Sequence, residues 1–124
     1  MDPIAEGAMD DLDVSLMRGT LDLLILKALA WGPRHGYSVA EWISHVTDDT
    51  LLVGEGTLYP ALHRLERQRL VEATWGLSDN NRRARYYQLS AAGRRRLQSG
   101  TSSWQRFVEA AGRALSVTTP EVVR

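Results

Sequence analysis

The chain contains no cysteine, which removes disulfides, thiolate metal sites and cysteine nucleophiles together. Its longest wholly aliphatic run, Leu23 to Leu26, stops at Lys27 and falls far short of the roughly 20 apolar residues that span a bilayer. No basic residue precedes Arg18, whereas Asp2, Glu6, Asp10, Asp11 and Asp13 crowd the N-terminus. A secretory or mitochondrial leader needs the opposite charge, so none is expected. Internal repeats and low-complexity tracts are missing too. These absences point to a cytoplasmic chain with no membrane partner.

A net positive charge is also lacking: the formal sum is zero, which looks poor for a nucleic-acid binder. The distribution changes that reading. Residues 1–16 hold five acids and no base, so the remainder is +5. Between Gly54 and Leu97 nine arginines face four acids, again +5. A local basic field matters more to phosphate than the whole-chain sum.

What is present fits one domain with an appendage. At 124 residues and 44% hydrophobic content the chain builds a core and is not disordered throughout. Residues 1–16 read as an acidic tail, with Met9, Leu12 and Leu16 spaced for a short amphipathic helix. Arg18 to Trp31 predicts a helix with Leu21, Leu24, Ile25, Ala28 and Leu29 on a broad apolar face, ended by Gly32-Pro33. A second helix is expected from Gly36 to Val46, with Ala40, Ile43 and Val46 inward and Ser38 to Glu41 at capping-box spacing.

The segment Gly54 to Leu70 carries most information. Leu58, Leu62 and Leu65 share one buried face, and Thr57, Tyr59, Pro60, His63, Arg64 and Arg67 lie off it. The helix is expected to start near Gly56 or Thr57, with Pro60 in its first turn. Val71, Ala73 and Trp75 then alternate with polar positions as a strand, Trp75 reading as packing. Arg85 to Leu89 supplies the return strand, one of Tyr86 and Tyr87 facing the core, across a turn containing Ser78-Asp79-Asn80-Asn81. A polar helix followed by a basic hairpin is the arrangement of a winged helix-turn-helix, mainly α with a small β-hairpin wing. Thr57, Tyr59, His63 and Arg64 are its candidate base-reading residues, and Arg82, Arg83 and Arg85 its candidate phosphate contacts. Arg94 to Arg96 read as a solvated helix face. For Tyr37, two readings stand: a half-buried aromatic, or a phosphate contact beside helix-end N–H groups.

Ser90 is a good N-cap for a last helix running to about Leu115. Leu97, Trp104, Phe107, Val108, Ala111 and Leu115 form a heptad-like seam with no partner in a core this small, and a second copy is the expected cover. Trp104 reads either as seam packing or, across a two-fold axis, as the wall of a pocket for a planar compound. The resulting division is a tail at 1–16, a winged helix-turn-helix at 17–90, a dimerisation helix at 91–116 and a tail at 117–124.

At this point the residues resemble a known family. RGTLDLLILKAL (18–29), Gly32-Pro33, His35-Gly36-Tyr37, EGTLYPALHRLERQRL (55–70), the run from Asn80 to Tyr87 and Ser90-Ala91-Ala92-Gly93 are similar to the PadR family of bacterial transcriptional regulators. The single C-terminal helix resembles the short subfamily. The resemblance implies a homodimeric repressor that binds double-stranded DNA at an inverted-repeat operator. It also implies release by a small flat effector, such as a phenolic acid or drug.

Other classes fare worse. His35, His45 and His63 lack metal-ligand spacing, so no metal or other cofactor is expected. No nucleophile elbow or phosphate loop supports an enzyme. A winged-helix module that docks protein instead of DNA is the alternative, but it calls for a larger apolar face on the third helix.

Overall fold

The computed structural model describes the backbone of residues 14–120 and the side chains of residues 19–120. The expectations for Met9, Leu12 and the Leu16 side chain lie outside the described residues. Helix α1 spans Val14–Ala28, strand β1 Arg34–His35, α2 Gly36–Val46 and α3 Glu55–Arg67. Strands β2 (Val71–Leu77) and β3 (Arg83–Leu89) follow, then α4 (Ala91–Leu115). The fold is mainly α with a small antiparallel sheet, ordered β1-β3-β2. Sequence periodicity missed β1. It is two residues long, and its pairs Arg34 with Tyr87 and His35 with Tyr86 exist only once β3 is in place.

The core sits where three helices meet the base of the hairpin. Leu21, Ile25, Leu26 and Ala28 of α1, with Leu29 just after it, pack with Val39 and Ile43 of α2 and Leu58, Ala61, Leu62 and Leu65 of α3. Val71, Tyr87 and Leu89 close it from the sheet, with Leu70 in the link that precedes β2. Each fully buried Leu or Ile contributes about 1.5–3 kcal/mol, so this cluster holds the three helices at fixed angles.

The second helix differs from expectation in two ways. Its inward residues are Val39 and Ile43, with Ala40 half-buried, while Val46 is exposed because the last turn runs past the core. Its cap is His35, whose Nδ1 accepts the Ser38 N–H at 3.2 Å; the Ser38–Glu41 capping box does not form it. Arg34 ties the same corner together, donating from Nε to the Ala28 carbonyl at 3.0 Å and from Nη1 to Ser38 Oγ at 2.9 Å. After α2, Asp48 and Asp49 take left-handed backbone, φ 51° and 60°, and the chain reverses into α3.

Helix α4 is anchored at its first turn. Ser90 Oγ accepts the Gly93 N–H at 3.0 Å and donates to the Arg69 carbonyl at 2.8 Å. Ser90 N–H donates to the Leu70 carbonyl at 3.1 Å. Gly93 then passes so close to that carbonyl that a β-carbon would collide with it. From this joint α4 runs back along α1, with Arg94 Nη1 reaching the Ala30 carbonyl and Trp104 Nε1 reaching Thr20 Oγ1 at 3.1 Å.

Candidate nucleic-acid interface

Helix α3 starts at Glu55, earlier than its sequence pattern predicts, so Pro60 is the sixth helical residue and not part of the first turn. Its missing N–H leaves the Gly56 carbonyl without a helical donor. Both residues are exposed, which keeps the cost low. Glu55 in the first turn complements the helix dipole, and Arg64 and Arg67 do the same in the last.

The outward ridge of α3 is Gly56, Pro60, His63 and Arg67, at i, i+4, i+7 and i+11. The sequence-predicted set straddles it. His63 points straight out, whereas Thr57 and Arg64 lie on one shoulder and Tyr59 on the other, all three half-buried. Arg64 Nη2 meets Asp22 Oδ1 of α1 at 2.6 Å, with side-chain exposures of 17% and 24%. Its guanidinium thus braces α3 against α1, and its Nε is buried without a partner.

Tyr59 packs against the start of α2, its ring so near Gly36 that a β-carbon there would meet Cε1 at 2.7 Å. Only glycine admits this approach. Burial, and secondarily the Glu55 carboxylate, push the Tyr59 hydroxyl above its ordinary pKa, so it stays a donor. Tyr87 is likewise raised by burial, offset in part by Arg85.

The hairpin β2–β3 is a wing beside α3, in register from Val71 opposite Leu89 to Leu77 opposite Arg83. Its tip closes through Asn81 N–H to the Ser78 carbonyl at 2.8 Å, with Asn81 at φ 63°. Arg82 and Arg83 are exposed there. Arg85 is not: its Nη2 meets Glu66 Oε2 of α3 at 2.8 Å, clamping the wing to the helix. Tyr37 is exposed in the first turn of α2 and faces the wing tip across a shallow cleft lined by His35, Ser78 and Asp79. The half-buried alternative for Tyr37 is therefore not found. Trp75, expected as packing, is also exposed, because the hairpin extends past the core before reaching it.

The C-terminal helix divides in two. Leu97 is half-buried against the core, whereas Trp104, Phe107, Val108 and Leu115 are exposed apolar residues and Ala111 is half-buried. Trp104 lines a cavity of about 510 Å³ between α1 and α4, with Leu23, Leu24, Lys27, Leu97 and Thr101.

A family model for the "Transcriptional regulator PadR-like family" matches residues 25–99. The chain belongs to the PadR-like family of transcriptional regulators. The matched segment runs from the middle of α1 into α4 and so includes α3 and the wing. An uncharacterized protein of Lysinibacillus sphaericus is 33% identical over 95 residues, covering 76% of this chain and 86% of its own. A transcriptional regulator from Clostridium thermocellum is similar in structure at TM-score 0.72 and 26% identity, covering 80% of this chain and 96% of that one. A PadR family transcriptional regulator from Eggerthella lenta gives TM-score 0.69 and 28% identity, covering 85% and 89%. PadR-like proteins are DNA-binding regulators and not enzymes, and α3 with its wing is the winged helix-turn-helix of that family. Among the described residues no helix is long and apolar enough to cross a membrane, and no three His, Cys, Asp or Glu side chains gather as a metal site.

Proposed function

We propose that the chain is a homodimeric repressor that reads an inverted-repeat operator and is released by a flat, mostly apolar effector. What carries the reading is the exposure of the α3 ridge and of the wing arginines, on a helix and a hairpin joined by the Arg85–Glu66 ion pair. His63 and Arg67, with Tyr59 and Thr57 on the shoulders, are the residues for base edges in the major groove. Arg82 and Arg83 hold phosphates, and Tyr37 adds a contact from the start of α2. Arg64 and Arg85 act through their carboxylate partners, fixing the angle of α3 to α1 and to the wing. The exposed stripe of Trp104, Phe107, Val108 and Leu115 supports pairing through α4. Two protomers then present their α3 helices to half-sites about 34 Å apart.

The effector reading rests on the α1–α4 cavity and on Trp104 in its wall. A ligand that favours a different spacing of the two α3 helices lowers operator affinity by its own preference for that state and no more. Selection of duplexes from a random pool by the full chain, followed by footprinting, tests the proposal. An inverted repeat with protected half-sites one helical turn apart is the expected result. A footprint without two-fold symmetry rejects the homodimeric operator.

A further inference from the structure

Two poor helix formers, Gly56 and Pro60, stand one turn apart at the start of the outward ridge of α3, and both are exposed. Neither is demanded by the fold. Among the described residues Gly32 is the glycine with positive φ, so the Gly56 backbone suits any residue. A β-carbon on Gly56 would have nothing within 4 Å. Gly36 and Gly93 differ from it, since each is pressed against a neighbour. Pro60 lies inside the helix, beyond the first turn, where proline is tolerated.

Together the two residues leave a backbone acceptor open. Leu58 N–H donates to the Gly54 carbonyl at 2.9 Å. The same step of four from Gly56 falls on Pro60, which has no N–H. The pyrrolidine ring stands where the donor would be and crowds the Gly56 carbonyl, and carbonyls on the solvent side of a helix tilt outward. With no side chain on Gly56, the helix backbone can come close to whatever faces the ridge.

We propose that the Gly56 carbonyl reads a base edge in the major groove and selects adenine or cytosine. The inference rests on the DNA-binding reading above and adds a base identity to it. In the major groove adenine N6 and cytosine N4 donate, whereas guanine N7 and O6 and thymine O4 only accept. A carbonyl taken out of water against another acceptor loses its hydrogen bond and gains none. Phosphate is excluded on the same ground, and the exposed Glu55 carboxylate in the same turn repels it. Glycine admits the base, and proline keeps the acceptor unpaired until the base arrives.

The test uses the full chain and an operator duplex recovered by selection from a random pool, with each pair of the half-site changed in turn. At one pair, replacing adenine by guanine or cytosine by thymine is expected to cost the wild type about tenfold in affinity, within the usual range for one wrong pair. Removing the amino group alone, with purine for adenine or pyrimidin-2-one for cytosine, should reproduce that loss. Pro60→Ala returns an N–H to the Gly56 carbonyl, and Gly56→Ala sets a methyl group in front of it. Both variants should unfold at higher urea than the wild type at one protomer concentration. Both should nevertheless bind the operator about tenfold more weakly and lose the preference at that pair alone. Their salt slopes should not change, because no phosphate contact is removed.

A Pro60→Ala chain that keeps its preference at every pair overturns the inference and leaves the DNA-binding reading standing. A loss seen in Gly56→Ala alone is steric and overturns it as well. A lower unfolding midpoint in either variant gives Gly56 and Pro60 a structural role and has the same consequence. A wild-type chain that recovers no duplex at all overturns both readings.

Discussion

Gly93→Ala separates geometry from helix propensity with unusual clarity. Inside an exposed helix this substitution ordinarily stabilises by about 1 kcal/mol. At Gly93 the added β-carbon would collide with the Leu70 carbonyl oxygen, with the Leu70 carbonyl carbon at 3.1 Å and Leu89 Cδ2 at 3.2 Å. The obstacle is backbone, and its oxygen already accepts from the Ser90 N–H and Ser90 Oγ, each at 3.1 Å. Relief therefore requires α4 to lift from the sheet. Lifting forfeits two hydrogen bonds at about 1 kcal/mol each, and overpacking adds about 1–3 kcal/mol. Set against the propensity gain, the net is about 2–4 kcal/mol of destabilisation.

Gly112 lies in the same helix with nothing within 4 Å of its hypothetical β-carbon. Gly112→Ala should therefore raise stability by up to about 1 kcal/mol. Urea unfolding at one fixed protomer concentration reads both, since dimerisation itself moves the midpoint. A Gly93→Ala midpoint at or above wild type refutes the close approach of α4 to Leu70.

Phe107→Asp should convert a dimer into a species near 13.9 kDa in sedimentation or leave the chain insoluble; a wild-type monomer at micromolar concentration removes the premise. Arg82→Ala should lower the salt slope of duplex binding by about 0.9, weakening specific and nonspecific DNA alike, and an unchanged slope rejects the phosphate contact. Asp22→Ala leaves the Arg64 charge unpaired at 17% exposure and should destabilise by about 1–2 kcal/mol, the loss for a buried pair discounted for its solvent contact; a midpoint shift equal to that of a surface Asp→Ala change contradicts the bracing role. Planar dyes should quench tryptophan emission in the wild type and not in Trp104→Ala while the dimer persists. Equal quenching in both places the dye elsewhere.

Periodicity carries furthest where one side of an element faces one core. Leu58, Leu62 and Leu65 sit where their spacing puts them, and so does Ser90 at the start of α4, whereas alternation leaves open which of Tyr86 and Tyr87 is buried and the structure buries Tyr87. It fails where a residue's fate depends on something distant. Arg64 looks like a surface cation until Asp22, 42 residues away, is brought beside it. Arg85 looks the same until Glu66 arrives from α3. Alternation identifies which face Trp75 occupies, but not how far the core extends beneath that face. The His35 cap was hidden for a different reason: histidine is a rare N-cap, and its ring is aimed by the pairing of β1 with β3. The outward ridge of α3 was only half legible: the leucine spacing identifies the buried side, but not that α1 and α2 also cover the shoulders bearing Arg64 and Tyr59.

The joint at Ser90 and Gly93 makes α4 a lever. Its 25 residues extend about 37 Å, and the short arm is gripped by Leu70, the residue that links α3 to β2. A tilt of about 5° at that fulcrum carries Leu115 through about 3 Å, given the helix length. Motion imposed at the far end returns to the fulcrum reduced in amplitude and multiplied in force. The place where that force is delivered is the peptide joining the recognition helix to its wing.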